Sequence, residues 1–256
     1  MIEYRDIHKA YDAPVLSGVS LRIEPGECLS IVGPSGTGKS VLLKTTNGLL
    51  RPDRGDVFVE GESVVNAGRK GLEQIRRKIG YVFQYAALFD SMTVFENVCQ
   101  GLPEEEAQHQ RSPEVLRRVC QALEDVNLDP AHILNDLPAE LSGGMRKRVG
   151  LARAIVGRPR IVLYDEPVTG LDPVNSAVVG LLITDIQARL KVTSVVVTHD
   201  IEQALGISQR IALLDRGKLR FVGTPGEFKE SQDPIVQAFA NRQAATAVAL
   251  KIMEEQ

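Results

Sequence analysis

The chain has 256 residues, of which 43% are hydrophobic, and its 30 basic and 33 acidic residues leave a formal net charge of −3. This balance gives no reason to expect nucleic acid or another polyanion as a partner. Three scattered cysteines fit no metal-ligand spacing and indicate a reducing compartment. Residues 1–6 show no apolar signal region, and no apolar run approaches the roughly 18 residues of a membrane span, so we expect any work at a membrane to require a partner.

The first informative elements are a predicted strand at residues 27–32 and a predicted helix at residues 41–50, with a glycine-rich loop between them. The loop is Gly33-Pro34-Ser35-Gly36-Thr37-Gly38-Lys39-Ser40, a G-x-x-x-x-G-K-S pattern. Its glycines let N–H groups turn toward phosphate oxygens, and the helix N-terminus adds partial positive charge. Lys39 can then reach the β- and γ-phosphates, and the Ser40 hydroxyl can bind Mg²⁺. A glycine-rich turn with an unrelated lysine is the alternative, which the flanking elements disfavour.

The middle of the chain differs in composition from the first 90 residues, which alternate strands and turns. Residues from about 91 to 158 are richer in helix formers, with turns near residues 101–103 and 128–130. We therefore expect a helical insert that ends in a helix at residues 145–156.

The residues before that last helix are Ser142-Gly143-Gly144. Serine is a good N-cap, so they either only start the helix or also present its N-terminus to an anion. Arg146, Lys147 and Arg148, one turn further on, are expected to form a solvated helix face.

An apolar run at residues 161–164 predicts a buried parallel strand that ends at Asp165 and Glu166. At the carboxyl end of such a strand, Asp165 is placed to hold Mg²⁺, directly or through water. Glu166 is the candidate for orienting or deprotonating an attacking water. The alternative is a solvated loop that merely begins with two acids. Further on, Asp172 and Pro173 predict a helix N-cap and first helical position, with a dimer-interface role as a possible addition for Asp172.

A second apolar strand, at residues 192–197, ends before Thr198-His199-Asp200. Asp200 predicts the cap of the next helix. His199 follows a strand tip that would face a γ-phosphate, although a histidine at such a position is often only structural.

From these motifs, residues 1–225 resemble the ATP-binding-cassette (ABC) ATPases. The resemblance implies an α/β P-loop NTPase (RecA-like) fold: a mostly parallel sheet core, an antiparallel β subdomain, and a helical subdomain carrying the family signature. The implied ATPase domain is residues 1–240, with the helical subdomain at about residues 91–158 and a C-terminal tail at residues 241–256.

The resemblance also assigns roles to single residues. Tyr11 is similar to the aromatic that stacks on adenine, with an ordinary strand aromatic as the alternative. Gln84 is similar to the glutamine that senses Mg²⁺ and the attacking water, with a plain surface glutamine as the alternative. ATP and Mg²⁺ are thus the implied ligands. The implied catalytic residues are Lys39, Gln84, Glu166 and His199; the nucleotide contacts are Tyr11, Gly33 to Ser40, Ser142, Gly143, Gly144 and Asp172; the metal ligands are Ser40, Gln84 and Asp165.

The signature, residues 141–145, implies that two copies of the chain hold ATP between them. Its helix N-terminus is an anion site that the chain's own phosphate loop does not need. The resemblance implies that it meets the γ-phosphate on a partner chain, so that ATP closes a homodimer and hydrolysis opens it. Met145 departs from the family, which usually has Gln there, and a thioether cannot replace the hydrogen bonds of an amide. One nucleotide contact is therefore in question.

The segment after Gln84, residues 85–95, is too apolar for an idle surface loop. It either packs into the local core or forms an exposed patch that docks a partner. In transport members of the family this region receives a short helix of the membrane subunit.

Several classes of protein can be compared with these features. Chromosome-type members insert a long coiled coil between phosphate loop and signature, whereas the gap here is only about 100 residues. Translation-type members carry two cassettes, repair members add zinc ligands, and a P-loop kinase would leave the signature unexplained. Transport is therefore the expected function, with a soluble non-transport ABC ATPase as the alternative.

Two stretches, residues 85–98 and 141–149, resemble the ATPases of bacterial Mla-type, Mce-linked lipid transporters. This implies phospholipid transport from the cytoplasmic face of a bacterial inner membrane, through integral permease subunits. An Mce-type lipid-binding subunit and small accessory proteins are further implied partners, and nucleic acid is not. Transport of another small substrate remains the alternative.

The tail, from about residue 241 to 256, contains no nucleotide motif. As a helix it would place one apolar stripe on a surface, formed by Ala245, Val248, Ala249, Ile252 and Met253. A helix this short needs a packing surface, which is either its own domain or a second ATPase chain.

Overall fold

The computed structural model describes residues 1–107, 109 and 112–241, and the chain divides into two compact units. The first contains Met1–Ala67 and the chain from Val195 onward, and the second contains Gly68–Ser194. The predicted bounds of the ATPase domain and of its helical subdomain stay predictions, and the predicted tail helix lies outside the described residues.

The first unit opens with an antiparallel sheet in the order β2-β1-β4-β5. Ile2 lies opposite Ile23 on one side and Val59 on the other. The apolar side chains on one face of this sheet are buried, as an alternating strand pattern requires. Its strands are β1 (Ile2–Ala10), β2 (Pro14–Ile23), β4 (Arg54–Val59) and β5 (Glu62–Ser63).

The rest of the first unit surrounds β3 (Cys28–Val32), whose five residues are all buried. Helix α1 (Lys39–Thr46) follows β3, so the phosphate loop is a strand-to-helix connection at the carboxyl end of a buried strand. The strand order is β10-β9-β3-β8, with β9 parallel and β10 antiparallel to its neighbour. The remaining elements are β8 (Thr193–Val197), α9 (Ile201–Ile207), β9 (Arg210–Asp215), β10 (Lys218–Gly223), α10 (Pro225–Glu230) and α11 (Pro234–Ala240).

The second unit contains a parallel strand pair and most of the helices. Strand β6 (Ile79–Val82) runs parallel to β7 (Ile161–Asp165), with Ile79 opposite Ile161. The first two residues of β8, Thr193 and Ser194, also belong to this unit, where the strand order is β8-β7-β6. The helices are α2 (Arg69–Arg77), α3 (Val94–Cys99), α4 (Glu104–Ala107), α5 (Pro113–Glu124), α6 (Pro130–Ile133), α7 (Gly143–Ile155) and α8 (Pro173–Leu190), with a short 3₁₀ helix at Pro138–Glu140.

Helix α7 is the central helix of the second unit. It packs against α3 and α5, and most of its residues after Gly144 are buried. The predicted α/β class, with parallel strands and a separate antiparallel sheet, is confirmed. Within the described part of the chain, none of the helices has both the length and the apolarity to cross a bilayer.

Candidate functional site

Two glycines of the phosphate loop in the first unit have a positive φ and also lie where a side chain would clash. Gly33 and Gly38 have φ angles of 150° and 97°. A Cβ on Gly33 would lie 2.1 Å from the carbonyl oxygen of Leu214, and one on Gly38 would lie 2.8 Å from Cδ2 of Leu16. The loop therefore folds tightly against the neighbouring strands, and a side chain at either glycine would displace it.

Lys39 lies buried inside this loop. Its Nζ donates to the carbonyl oxygens of Gly33 at 2.9 Å and Pro34 at 2.8 Å, and Thr37 Oγ1 donates to Pro34 at 2.8 Å. Gly38, the N-cap of α1, offers no side-chain acceptor to the first turn of the helix. An ammonium and a helix start without a side-chain cap thus converge on one loop, which fits a phosphate group.

Tyr11 comes directly after strand β1 and is 60% exposed, so it is not a packed strand aromatic. Lys9 Nζ lies 5.5 Å from the centre of its ring. Asp53 stabilises this end of β1, because its carboxylate accepts hydrogen bonds from Lys9 Nζ at 2.7 Å and from the Ala10 amide at 2.8 Å. The ring is therefore available for stacking on a base.

His199 is exposed and lies two residues beyond the end of strand β8. The next residue, Asp200, accepts from the Gln203 amide at 3.0 Å and so caps α9, as predicted. The catalytic role of His199 stays a prediction.

The acid pair lies in the second unit. Asp165 ends strand β7, is buried, and accepts a hydrogen bond of 3.0 Å from the Tyr81 hydroxyl. Glu166 has a left-handed backbone with φ of 50°, and Thr169 Oγ1 donates to its Oε2 at 3.2 Å. A carboxylate residue in this sparsely populated conformation is one that the surrounding structure holds in place. Tyr81 is a functional neighbour that the sequence analysis missed.

Each predicted metal ligand offers an oxygen donor: the Ser40 hydroxyl in the first unit, and the Gln84 amide oxygen and the Asp165 carboxylate in the second. Hard oxygen donors with a single carboxylate fit Mg²⁺, which keeps several waters. Among the described residues, no group of three or more His, Cys, Asp or Glu side chains is placed to hold a metal ion by itself.

Gln84 follows strand β6 and is half-buried. Its backbone carbonyl accepts a hydrogen bond from Lys147 Nζ of helix α7, and Arg153 donates to the carbonyls of Ala86 at 2.5 Å and Ala87 at 2.7 Å. The prediction that Lys147 belongs to a solvated face was wrong. Lys147 is only 8% exposed, and its ammonium points to the Gln84 carbonyl instead of to solvent.

The apolar segment after Gln84 is partly exposed. Tyr85 is 78% and Phe89 49% exposed, whereas Val94 is buried at the start of α3. The fully buried Asn97 fixes the segment, since it accepts from the Phe89 amide at 2.8 Å and donates to three carbonyls, including that of Met92 at 2.9 Å. We call Tyr85 to Phe89 the docking loop, after the role that the sequence analysis predicts for this segment. The sequence analysis did not predict this role of Asn97, because no motif marks it.

The signature residues begin helix α7. Ser142 caps it by accepting from the Met145 amide at 3.2 Å, so this bond does not depend on the Met145 side chain. A Cβ on Gly144 would lie 2.6 Å from Oδ1 of Asn175. Asn175 in turn donates to Asp172 Oδ2 at 2.5 Å.

Asp172 caps helix α8 through the amides of Val174 and Asn175, both at 3.0 Å, as predicted. Hydrogen bonds from Asn175, first from its side chain, lower the pKa of Asp172. Asn175, which the sequence analysis missed, therefore links the signature to the predicted dimer loop. The structure groups Gln84, the signature, the acid pair and Asp172 in the second unit, and Tyr11, the phosphate loop and His199 in the first.

Comparison with known proteins identifies relatives of this chain. A family model described as ABC transporter matches residues 16–169. A probable ribonucleotide transport ATP-binding protein of Mycobacterium leprae is 39% identical over 241 residues, which cover 94% of this chain and 68% of that protein. The chloroplastic protein TRIGALACTOSYLDIACYLGLYCEROL 3 of Arabidopsis thaliana is 42% identical over 258 residues, covering 94% of this chain and 73% of the relative. This chain thus spans about two thirds to three quarters of these relatives.

A solved structure agrees with this. The dimeric structure of an ATP-binding cassette in a post-hydrolysis state, bound to ADP and Pi, superposes with a TM-score of 0.78 at 33% sequence identity. The superposition covers 88% of this chain and 99% of that one.

Proposed function

Because this chain belongs to the ABC transporter family and is an ATPase, we propose that it is the ATP-hydrolysing subunit of a transporter that moves phospholipids at a bacterial cell envelope. The observation that carries the ATPase part is the phosphate loop, where the buried Lys39 ammonium and the start of α1 converge. The lipid part is supported by the name of the Arabidopsis relative, which contains that of a galactolipid.

Each site residue has a role that its own chemistry supports. Tyr11 stacks on the base, while the phosphate loop and Lys39 hold the phosphates. Ser40, Gln84 and Asp165 supply oxygen ligands for Mg²⁺, which neutralises phosphate charge when it is bound. Glu166, held by Thr169, orients the attacking water, and His199 contacts the γ-phosphate.

We further propose that two copies of the chain bind ATP between them. Ser142 and Gly143 are exposed at the start of α7, and Asp172 is exposed at the start of α8. Charge-assisted hydrogen bonds contribute about 1.5–3 kcal/mol each, so two or three bonds from Ser142, Gly143 and Gly144 to a partner's γ-phosphate are enough to stabilise a closed dimer. The solved relative is itself dimeric.

The docking loop is the proposed contact with the membrane permease. Tyr85 and Phe89 expose large apolar side chains immediately after Gln84, and such a patch fits a protein partner. In this proposal the subunit lies on the cytoplasmic face of the inner membrane and is held there by integral permease subunits. An Mce-type lipid-binding subunit and small accessory proteins complete the complex.

Co-purification and reconstitution test this function. The complex recovered with the tagged chain is inserted into vesicles containing fluorescent phospholipids, and ATP-dependent lipid movement is measured beside a matched Glu166→Gln complex. We expect lipid movement only with the unmodified chain. ATP-dependent movement of ribonucleotides without lipid movement would overturn the lipid substrate, and the name of the mycobacterial relative makes this the second candidate. A chain that hydrolyses ATP at full rate but recovers no membrane protein would instead be a non-transport ABC ATPase.

A further inference from the structure

Two cationic side chains of the signature helix donate hydrogen bonds to one loop. Lys147 and Arg153 lie on α7 and together bond to three backbone carbonyls of the loop after β6, those of Gln84, Ala86 and Ala87. The loop and the helix are 63 to 67 residues apart in the chain. These bonds therefore attach a docking loop to a distant helix.

The environment of these cations makes their bonds hard to exchange for water. Lys147 is 8% and Arg153 9% exposed, and burial lowers the pKa of both side chains. Within the described residues neither forms a salt bridge, so the carbonyls are their hydrogen-bond partners. Removing a partner from a buried polar group carries the full desolvation penalty of that group, which is larger for a charged group. The loop and α7 are thus held together by bonds that are costly to break.

The backbone of the loop is shaped for this attachment. Ala86 and Ala87 have φ angles of 59° and 48°, an uncommon left-handed conformation for alanine that turns two successive carbonyls toward Arg153. A Cβ on Gly150 of α7 would lie 3.2 Å from the Cβ of Ala86, so the helix meets the loop closely at this point. A left-handed backbone at a residue other than glycine is strained, and it persists only where the surrounding structure imposes it.

The charge of Glu166 in the acid pair also acts on Lys147. The negative charge of Glu166 acts to raise its pKa against the larger effect of burial. The geometric contact of this ammonium is with the backbone carbonyl of Gln84, one of the residues proposed to handle the attacking water.

We propose that Lys147 and Arg153 are positioning residues that lock the docking loop to the signature helix, so that a partner that moves the loop moves Gln84 and α7 together. The proposal deepens the function argued above and rests on the roles given there to Gln84 and the docking loop. Neither cation touches ATP in this proposal, and both act through the carbonyls they hold.

The test compares four variants in the purified full chain: Lys147→Met, Lys147→Arg, Arg153→Lys, and Arg148→Met as the matched control. Arg148 lies on the same helix but donates to the Asn127 carbonyl at 2.9 Å, away from the docking loop. The readouts are ATP affinity, the Mg²⁺ concentration for half-maximal hydrolysis, and amide hydrogen exchange of residues 85–89.

We expect Lys147→Met to raise the half-saturating Mg²⁺ concentration about tenfold, equivalent to about 1.4 kcal/mol, with ATP affinity changed less than twofold. Exchange at residues 85–89 should speed up at least about tenfold, since local opening becomes easier. Lys147→Arg should restore both readouts because it keeps the charge and a donor. Arg153→Lys, which keeps one donor point in place of a fork, should show a smaller effect, and Arg148→Met none.

The outcomes separate the two levels of the proposal. If Lys147→Met only lowers the melting temperature, with unchanged Mg²⁺ dependence and unchanged exchange in the loop, the positioning role is wrong and Lys147 is only structural. If exchange rises but the unmodified chain shows no Mg²⁺-dependent hydrolysis, the attachment stands and the proposed function fails.

Discussion

Two loops of this chain are closed by a hydrogen bond from a lysine ammonium to a backbone carbonyl. The two lysines differ greatly in how far along the chain they lie from the carbonyl they bind. In the phosphate loop, Lys39 bonds to carbonyls only six and five residues before it. In the docking loop, Lys147 bonds to a carbonyl 63 residues before it. The first loop is closed by its own residues, whereas the second is bonded both to nearby Asn97 and to a helix far along the chain.

The difference indicates different tasks. A loop closed locally keeps its shape wherever the rest of the chain moves, which suits a site that must hold phosphates in every state. A loop closed by a distant helix has a position that depends on that helix, which suits an element that transmits contact with a partner. We therefore propose that the phosphate loop of the first unit mainly binds nucleotide and that the docking loop of the second unit controls turnover.

The strongest test of this assignment is Glu166→Gln in the second unit. General-base residues contribute about 10²–10⁴-fold to rate, so we expect the turnover number to fall at least about a hundredfold. ATP affinity should change less than threefold, because the phosphate loop is intact. Steady-state hydrolysis and equilibrium nucleotide binding measure the two effects. Equal hydrolysis rates for this variant and the unmodified chain would remove Glu166 from the mechanism.

Lys39→Ala in the first unit should give the opposite pattern. Losing one or two charge-assisted bonds of about 1.5–3 kcal/mol each to phosphate predicts that the ATP dissociation constant rises about a hundredfold. Lys44→Ala, in the last turn of α1, is the matched control and should bind ATP normally. An unchanged dissociation constant for Lys39→Ala, measured by titration, would contradict the binding role of the loop.

Glycine substitutions sharpen the comparison at the level of the backbone. Gly33→Ala places a Cβ 2.1 Å from a backbone oxygen, so we expect it to destabilise the fold by about 1–3 kcal/mol and to weaken ATP binding. Gly150→Ala creates a 3.2 Å contact with the Ala86 side chain, but alanine is favoured over glycine inside a helix by about 1 kcal/mol. Because the two effects oppose each other, we expect the free energy of unfolding to change by less than about 1 kcal/mol and ATP affinity not to change. Gly61→Ala, at φ of 86° with nothing within 4 Å, reports the cost of the left-handed backbone alone. Urea unfolding measures all three, and equal losses for Gly33→Ala and Gly61→Ala would show that crowding is unimportant.

The locally determined features are those that the sequence predicted well. The strand before the phosphate loop is predicted at residues 27–32 and is Cys28–Val32. The apolar run at residues 161–164 predicts the acid-bearing strand, which is Ile161–Asp165. The signature helix begins at Gly143, two residues before the predicted start, because the Ser142 cap lies next to it. Caps, glycine loops and apolar runs depend on neighbours in the chain, so a single sequence contains them.

The distant contacts are those that the sequence did not predict. Tyr81 donates to Asp165 from 84 residues away, and Arg153 reaches Ala86 from 67 residues away. Lys147 stands between two arginines on a helix start, a pattern typical of a solvated face, and only the packing of α7 against the docking loop shows that it is buried. Such side chains carry no local signature because their partners are chosen by the tertiary fold.

The smallest expected effect concerns the start of α8, which unlike α1 carries a side-chain cap. Asp172 accepts from two amides and from the Asn175 side chain, and these bonds lower its pKa. A lowered pKa means that its contribution to stability is fully present above the ordinary aspartate pKa of about 3.9 and is lost as pH falls through the folded-state value. Asp172→Ala should therefore lower the melting temperature slightly at pH 7, and the difference from the unmodified chain should shrink below about pH 4. A difference in melting temperature that stays constant from pH 7 to pH 3 would show that the ionised carboxylate is not what stabilises this helix start.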